Sequence, residues 1–141
     1  PVLSERGVLQ LVAARHPLLS TRRHEIVPLN FVLPDDARVV LISGPNAGGK
    51  TVAMKTVGLF ALLASAGLFL PAKAGSELPL FELVLADIGD EQSLESDLSS
   101  FSAHLLRTRQ ILEQAGPAAL VLLDEIGSST APEEGSALAI A

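Results

Sequence analysis

Apolar residues along the chain fall into short unbroken runs that alternate with longer stretches of helical spacing. Three runs are typical of buried strands, because they are rich in branched apolar residues and show no polar alternation: residues 39–42, 83–86 and 120–123. Residues 49–66 and 98–115 carry apolar side chains at helical spacing, and each stretch is followed by a glycine. Strands that alternate with long helices predict an α/β fold with a mostly parallel central sheet flanked by helices.

Two weaker strand signals lie nearer the N-terminus. Residues 9–13 form a short apolar run, and residues 26–33 form an edge-like run that contains Pro28. The sequence Pro34-Asp35-Asp36 then predicts a turn before the run at residues 39–42.

Length and composition narrow the possible functions. The 141 residues suffice for one domain with a core. Because the helix-like run from Pro132 stops in mid-pattern at Ala141, we expect residues 1–141 to be one partial domain, truncated at its C-terminal end, with no second domain. With 16 acidic and 10 basic residues, the net charge is −6, so the chain has no general attraction for a nucleic-acid backbone. The absence of cysteine excludes disulfides, thiolate zinc sites and cysteine nucleophiles.

The sequence contains no segment that resembles a membrane span or a signal peptide. The longest apolar stretch, residues 57–72, lacks charge but is interrupted by Gly67 and Pro71, and it is shorter than the about 20 apolar residues that a spanning helix needs. Charged side chains are scattered through the first twenty residues. We therefore expect a cytoplasmic protein.

A glycine-rich loop follows the run at residues 39–42 and matches the pattern G-x-x-x-x-G-K-[ST]. Glycines let the backbone curl until several N–H groups converge on phosphate oxygens, and the helix that begins near Gly49 adds the positive end of its dipole. Lys50 would neutralise charge on the outer phosphates, and the Thr51 hydroxyl would lie beside Mg²⁺. The sequence therefore predicts a nucleotide site formed by Gly44, Pro45, Asn46, Ala47, Gly48, Gly49, Lys50 and Thr51.

Two acids, Asp124 and Glu125, end the apolar run at residues 120–123. In open α/β sheets, ligands lie at the carboxyl ends of strands. In a phosphate-loop enzyme the first acid holds Mg²⁺ indirectly, and the second is positioned to orient or deprotonate the attacking water. Acids are ordinary residues at the end of a strand, but together with the complete glycine-rich loop they favour ATP hydrolysis over binding alone.

In these motifs the sequence resembles the MutS ATPase family. The loop at residues 44–51 has the family's unusual Pro-Asn before the double glycine. Ala14-Arg15-His16-Pro17 resembles the Arg-His-Pro element that opens the family's ATPase domain, and residues 124–130 resemble its second acid motif with the loop that follows. Residues 50–52, 87–93 and 101–104 look like the second bacterial branch of the family. Members of that branch lack the mismatch-reading domain and usually carry a C-terminal Smr nuclease domain.

The resemblance implies a fold, cofactors and partners. It implies an ABC-type ATPase domain of the phosphate-loop class that uses ATP and Mg²⁺, with two ATP sites shared between two copies of the protein. It also implies DNA as a partner, reached through domains absent from this chain. Anti-recombination, the processing of branched DNA and action on nucleic acid in stalled ribosomes all stay open.

Further site residues follow from the resemblance alone. Ser99 falls on the family's signature element, which would contact the γ-phosphate of the ATP in the partner subunit, and it also suits a helix N-cap. Ile26 falls where the family packs an apolar or aromatic side chain on adenine. Asp90 and Gln92 lie where related ATPases place polar groups near the water or metal, although a solvated loop is an equal interpretation. With the residues that the motifs themselves predict, the catalytic residues are expected to be Glu125, Lys50 and Ser99, and the metal ligands Thr51 and Asp124.

Two positions depart from the family pattern. Ala131 stands where the loop after the acids commonly has Asp. Because Pro132 suits the first helical position, alanine before it forfeits about 1 kcal/mol of helix capping. Leu29 replaces the usual Asn near the adenine side.

The residues alone leave two other functions open. The motor domain of an ABC transporter would need a Leu-Ser-Gly-Gly-Gln-type signature, where this chain has Leu98-Ser99-Ser100-Phe101. A nucleotide-binding module without useful turnover would not need Glu125. The histidines lack metal-ligand spacing and suggest no catalytic triad: His16, His24 and His104.

Overall fold

The computed structural model describes residues 1–4, 7–21, 26–45, 48–88 and 97–124, and of residues 97–104 the backbone alone. The chain divides into two compact units, Pro1–Val84 and Leu85–Ala141. Strands and helices are both present, so the α/β class is confirmed. None of the described helices is long and apolar enough to cross a membrane.

The first unit is built on a four-stranded sheet with the order β1-β4-β2-β3. Its strands are β1 (Val2–Ser4), β2 (Leu9–Ala14), β3 (Leu29–Leu33) and β4 (Glu77–Pro79). β1 and β4 pair parallel, whereas β2 pairs antiparallel with both β3 and β4. This sheet is therefore mixed, and it differs from the mostly parallel sheet that the alternation of strands and helices predicts.

The described residues of the first unit form the single turn α1 (Pro17–Ser20) and the long helix α2 (Lys50–Ser65). The bounds of α2 agree with the predicted helix at residues 49–66. It ends because Gly67, with φ +70°, turns the chain through a conformation that glycine adopts without steric cost. The core joins one face of α2 to the inner side of the sheet and contains Phe60, Leu9, Leu11 and Leu78, none more than 1% exposed.

The prediction of a buried strand at residues 39–42 is wrong. The structure describes this segment and gives it no strand, and the side chains of Val39 and Leu41 are 84% and 88% exposed. None of the four strands of the first unit's sheet pairs with it. An apolar, β-branched run becomes a strand only where a neighbouring strand completes its hydrogen bonds and a packed face covers its side chains.

In the described part of the second unit, a two-stranded sheet is accompanied by a long helix. β5 (Leu83–Asp87) begins at the boundary between the units, and it pairs with β6 (Ala119–Leu123). The helix α3 spans Asp97–Gln114. These elements confirm the predicted strands at residues 83–86 and 120–123 and the predicted helix at residues 98–115.

Ser76 links β2 to the turn that precedes β4. Its side-chain oxygen accepts a hydrogen bond from the Val12 N–H at 3.0 Å and donates one to the Lys73 carbonyl at 2.8 Å, and the residue is 1% exposed. We expect Ser76→Ala to lower the free energy of unfolding by about 1–3 kcal/mol, because the Val12 N–H loses its acceptor in a part-buried position. Urea denaturation measures this change.

A matched control is Thr21→Ala, which removes an exposed hydroxyl that donates to the Leu18 carbonyl at 2.8 Å. Because water replaces that hydrogen bond, the expected change is within about 0.5 kcal/mol. Equal losses in the two variants would contradict the role given to Ser76.

Candidate phosphate-binding loop and neighbouring residues

The glycine-rich loop before α2 has unusual backbone at both of its ends. Gly44 has φ +146° and Gly49 has φ +79°, conformations that residues with a side chain rarely adopt. A Cβ atom added at either position would meet no atom within 4 Å. The backbone conformation, and not a lack of space, is therefore what favours glycine at these two positions. Asn46 and Ala47 lie outside the described residues.

Lys50, the first residue of α2, folds back over this loop. Its Nζ atom donates hydrogen bonds to the carbonyl oxygens of Gly44 at 2.7 Å and Pro45 at 3.0 Å. The N–H of Gly48 donates to the same Pro45 carbonyl at 2.9 Å, which tightens the loop immediately before the helix. The sequence-predicted residues Gly44, Pro45, Gly48 and Lys50 are thus close together, with a positive charge over the loop backbone.

The N-terminus of α2 carries positive charge. Among the described residues, no side-chain hydrogen bond caps the helix at Gly49, and its first turn contains no acidic residue. The helix dipole places partial positive charge at this end, where Lys50 adds a full charge. Thr51 is the second residue of the helix and is half-buried. This region can therefore attract and hold a negatively charged group.

Ile26 lies elsewhere in the first unit, in the segment that leads into β3. It is half-buried, while the next residue, Val27, is 91% exposed. The Ile26 carbonyl accepts a hydrogen bond from Nη1 of Arg15 at 3.3 Å. In the sequence, Arg15 stands out only as part of the Arg-His-Pro element, because a hydrogen bond to a backbone carbonyl distant in sequence leaves no pattern.

Asp124 follows β6 in the second unit and is half-buried. Its N–H donates to the Asp87 carbonyl at the end of β5, at 3.0 Å. The Asp87 side chain is 10% exposed and lies 3.5 Å from Nη1 of Arg107 on α3. Asp87 therefore connects the helix with the strand end that carries Asp124, a role that sequence reasoning missed.

The remaining predicted site residues are only partly covered by the structure. Ser99 lies in α3, where the backbone alone is described, and His104 lies in the same part of the helix. Glu125, Asp90 and Gln92 lie outside the described residues. Within the described part of the chain, no three His, Asp or Glu side chains are grouped so that they could hold a metal ion.

Comparison with known families supplies the next observation. The family model described as MutS domain V matches residues 40–141, which include the glycine-rich loop and the acids after β6. The chain belongs to the MutS family. The predicted resemblance is thereby confirmed.

Curated relatives place the chain in the MutS2 branch of the family. It is 51% identical over 141 residues to a protein named endonuclease MutS2 from Geobacillus sp. (strain WCH70) and 55% identical over 131 residues to one of the same name from Thermomicrobium roseum. These matches cover 100% and 93% of this chain. The chain spans only 18% and 16% of the length of these two MutS-family relatives.

Proposed function

We propose that this chain binds and hydrolyses ATP with Mg²⁺ as the ATPase domain of a DNA-acting MutS-family protein, and that hydrolysis gates a clamp of two subunits. The observation that carries the proposal is the position of Lys50 over the glycine-rich loop at the N-terminus of α2. An ammonium group, a helix N-terminus and glycine backbone lie together there, and all three favour a polyphosphate.

We also propose a magnesium ion beside the phosphates. Mg²⁺ prefers hard oxygen ligands, which the Thr51 hydroxyl and the Asp124 carboxylate offer. When bound, the ion would neutralise charge that develops on the outer phosphates. Thr51 belongs to the first unit and Asp124 to the second, so their joint role rests on the order of the two motifs along the chain.

Hydrolysis needs a water molecule aligned with the terminal phosphorus. In the proposed mechanism the Glu125 carboxylate, directly after Asp124, orients this water and accepts its proton, while Lys50 stabilises charge on the phosphate oxygens. Ser99 donates a hydrogen bond to the γ-phosphate held by the partner subunit. Neither copy of the chain would then contain a complete catalytic site alone.

The base of the nucleotide would pack against Ile26. This half-buried apolar side chain lies in a segment whose neighbouring residue, Val27, is almost fully exposed. The flat face of an aromatic ring gains free energy by covering such a side chain, which favours adenine binding without a hydrogen bond to the base edge.

DNA would be contacted by parts of the whole protein outside this chain. Its net charge of −6 gives no electrostatic attraction for phosphate backbones, and it spans 18% of the length of its Geobacillus relative. We propose that nucleotide state in this domain controls those parts, as a clamp that opens or closes with hydrolysis.

A dilution series tests both hydrolysis and the two-subunit site. We expect phosphate release from Mg-ATP to rise faster than linearly over a hundredfold range of protein concentration, because the active species is a dimer. EDTA should abolish the release, and light scattering follows the state of association in parallel. Activity strictly proportional to concentration, with a monomer throughout, would remove the role of Ser99 in the partner's site.

A further inference from the structure

The end of β2 has an irregular backbone. Its register against β3 shifts between Leu11 and Ala14, and Ala13 within that shift has φ +47°. Ala13 is the only described residue other than glycine with a positive φ. A side chain makes this conformation costly, so it persists only where surrounding contacts hold it, and such residues concentrate at functional sites.

Asn30 holds the irregularity from the β3 side. The Ala13 N–H donates to its Oδ1 atom at 2.9 Å. Asn30 is exposed and lies on β3, one residue after that strand begins at Leu29. A side-chain acceptor therefore replaces the backbone acceptor that a regular strand pair would have offered to this N–H.

Backbone hydrogen bonds hold the irregularity from the opposite side. The Val12 carbonyl accepts from the Lys73 N–H at 2.8 Å, and the Arg15 N–H donates to the Pro71 carbonyl at 2.9 Å. The residues on both sides of Ala13 are thus fixed, and the direction in which the Arg15 side chain leaves the backbone is fixed with them.

Arg15 then holds the segment that enters β3. Its Nη1 atom donates to the Ile26 carbonyl at 3.3 Å, which orients the peptide between Ile26 and Val27. The downstream end of the same segment is held where Leu29 joins the sheet. Ile26 is therefore held at its own carbonyl, and through Arg15 this attachment depends on the irregular end of β2.

We propose that Arg15 and Asn30 are positioning residues for the nucleotide base. Asn30 keeps Ala13 in its left-handed conformation, which directs Arg15 toward Ile26, and Arg15 orients the apolar surface on which the base packs. This inference rests on the proposed function, because it takes Ile26 as the residue that meets adenine. Its particular consequence is that both residues affect recognition of the base and not of the phosphates.

Calorimetry with two ligands on the whole chain separates these effects. ATP contains the base, and inorganic tripolyphosphate carries a similar charge without it. We expect Arg15→Ala and Asn30→Ala to reduce the ratio of ATP affinity to tripolyphosphate affinity by about fivefold to tenfold. Asn30→Asp should restore the ratio, because a carboxylate oxygen can accept from the Ala13 N–H.

Two control variants show whether the loss of a charge or of a hydrogen bond elsewhere in the chain changes the affinity ratio. Arg109→Ala removes the same charge from an exposed position on α3, where Arg109 pairs with Glu113 at 2.7 Å. Gln10→Ala removes a side-chain hydrogen bond from the same strand as Ala13, the one to the Gly75 carbonyl at 3.2 Å. Both controls should leave the affinity ratio unchanged, within about twofold.

The outcomes distinguish the inference from the proposed function. If the unmodified chain binds neither ligand, the proposed function fails and the inference fails with it. If the chain binds both ligands but Arg15→Ala weakens them equally or not at all, the proposed function stands and the inference is overturned. Should Asn30→Ala prove unfolded by circular dichroism, the exposed Arg15 decides the question alone, since its replacement opens no core.

Discussion

Lys50→Ala is expected to weaken ATP binding by about 3 kcal/mol, roughly a hundredfold in Kd, while the affinity for AMP changes little. The Lys50 ammonium lies over the glycine-rich loop, 2.7 Å from the Gly44 carbonyl and 3.0 Å from the Pro45 carbonyl. A charge in this place acts on the outer phosphates that ATP has and AMP lacks. Isothermal titration calorimetry with the two nucleotides measures the difference.

The control for this variant is Lys55→Ala, which removes the same charge from an exposed position on the same helix. It should leave both affinities near those of the unmodified chain, because a surface charge is largely screened by solvent. Equal ATP affinity in Lys50→Ala and the unmodified chain would eliminate the phosphate-binding role of the loop. Equal losses for ATP and AMP would instead indicate that the variant had disturbed the loop backbone.

Glu125→Gln is expected to preserve ATP binding and to lower the rate of hydrolysis at least about a hundredfold. Glutamine has nearly the same shape as glutamate but cannot accept the proton of the attacking water, so the loss belongs to the transition state and not to ground-state binding. Single-turnover phosphate release, combined with a nucleotide-binding titration, separates these two effects.

Glu113→Gln is the matched control, because it neutralises an exposed acid on α3 that pairs with Arg109. We expect it to hydrolyse ATP at the rate of the unmodified chain, since surface pairs of this kind contribute little. If Glu125→Gln also retained the full rate, Glu125 would be an ordinary acid after a strand, and another group would have to orient the water.

The sequence predicts the elements whose signals are local. The helices α2 and α3 and the strands β5 and β6 lie where apolar spacing and glycines indicate them, because such patterns depend on neighbouring residues. β1 and β4 were not predicted. Each has three residues, and they pair with each other across the whole first unit, with Val2 opposite Glu77. No local period can reveal a pairing over that separation.

In the candidate site, too, local features could be predicted from the sequence and contacts between distant residues could not. Positive φ angles at Gly44 and Gly49 accord with the glycine pattern of the loop, since glycine is the residue that adopts them readily. Ala13 also has a positive φ, but alanine gives no such signal, and its conformation depends on an acceptor from Asn30. For residues 39–42 the local signal was present and the prediction was wrong. The composition favours a strand, but no strand of the first unit's sheet pairs with this segment.

The hydrogen bonds from Lys50 to the loop also affect the entropy of binding. They hold the described backbone at Gly44 and Pro45 before a ligand arrives, so its conformational entropy is lost during folding and not at encounter. Glycine loses more freedom on ordering than any other residue, which makes this preorganisation most effective in a glycine-rich segment. If the loop binds an anion as proposed, little of the free energy of the contacts would be consumed in arranging the backbone at Gly44 and Pro45.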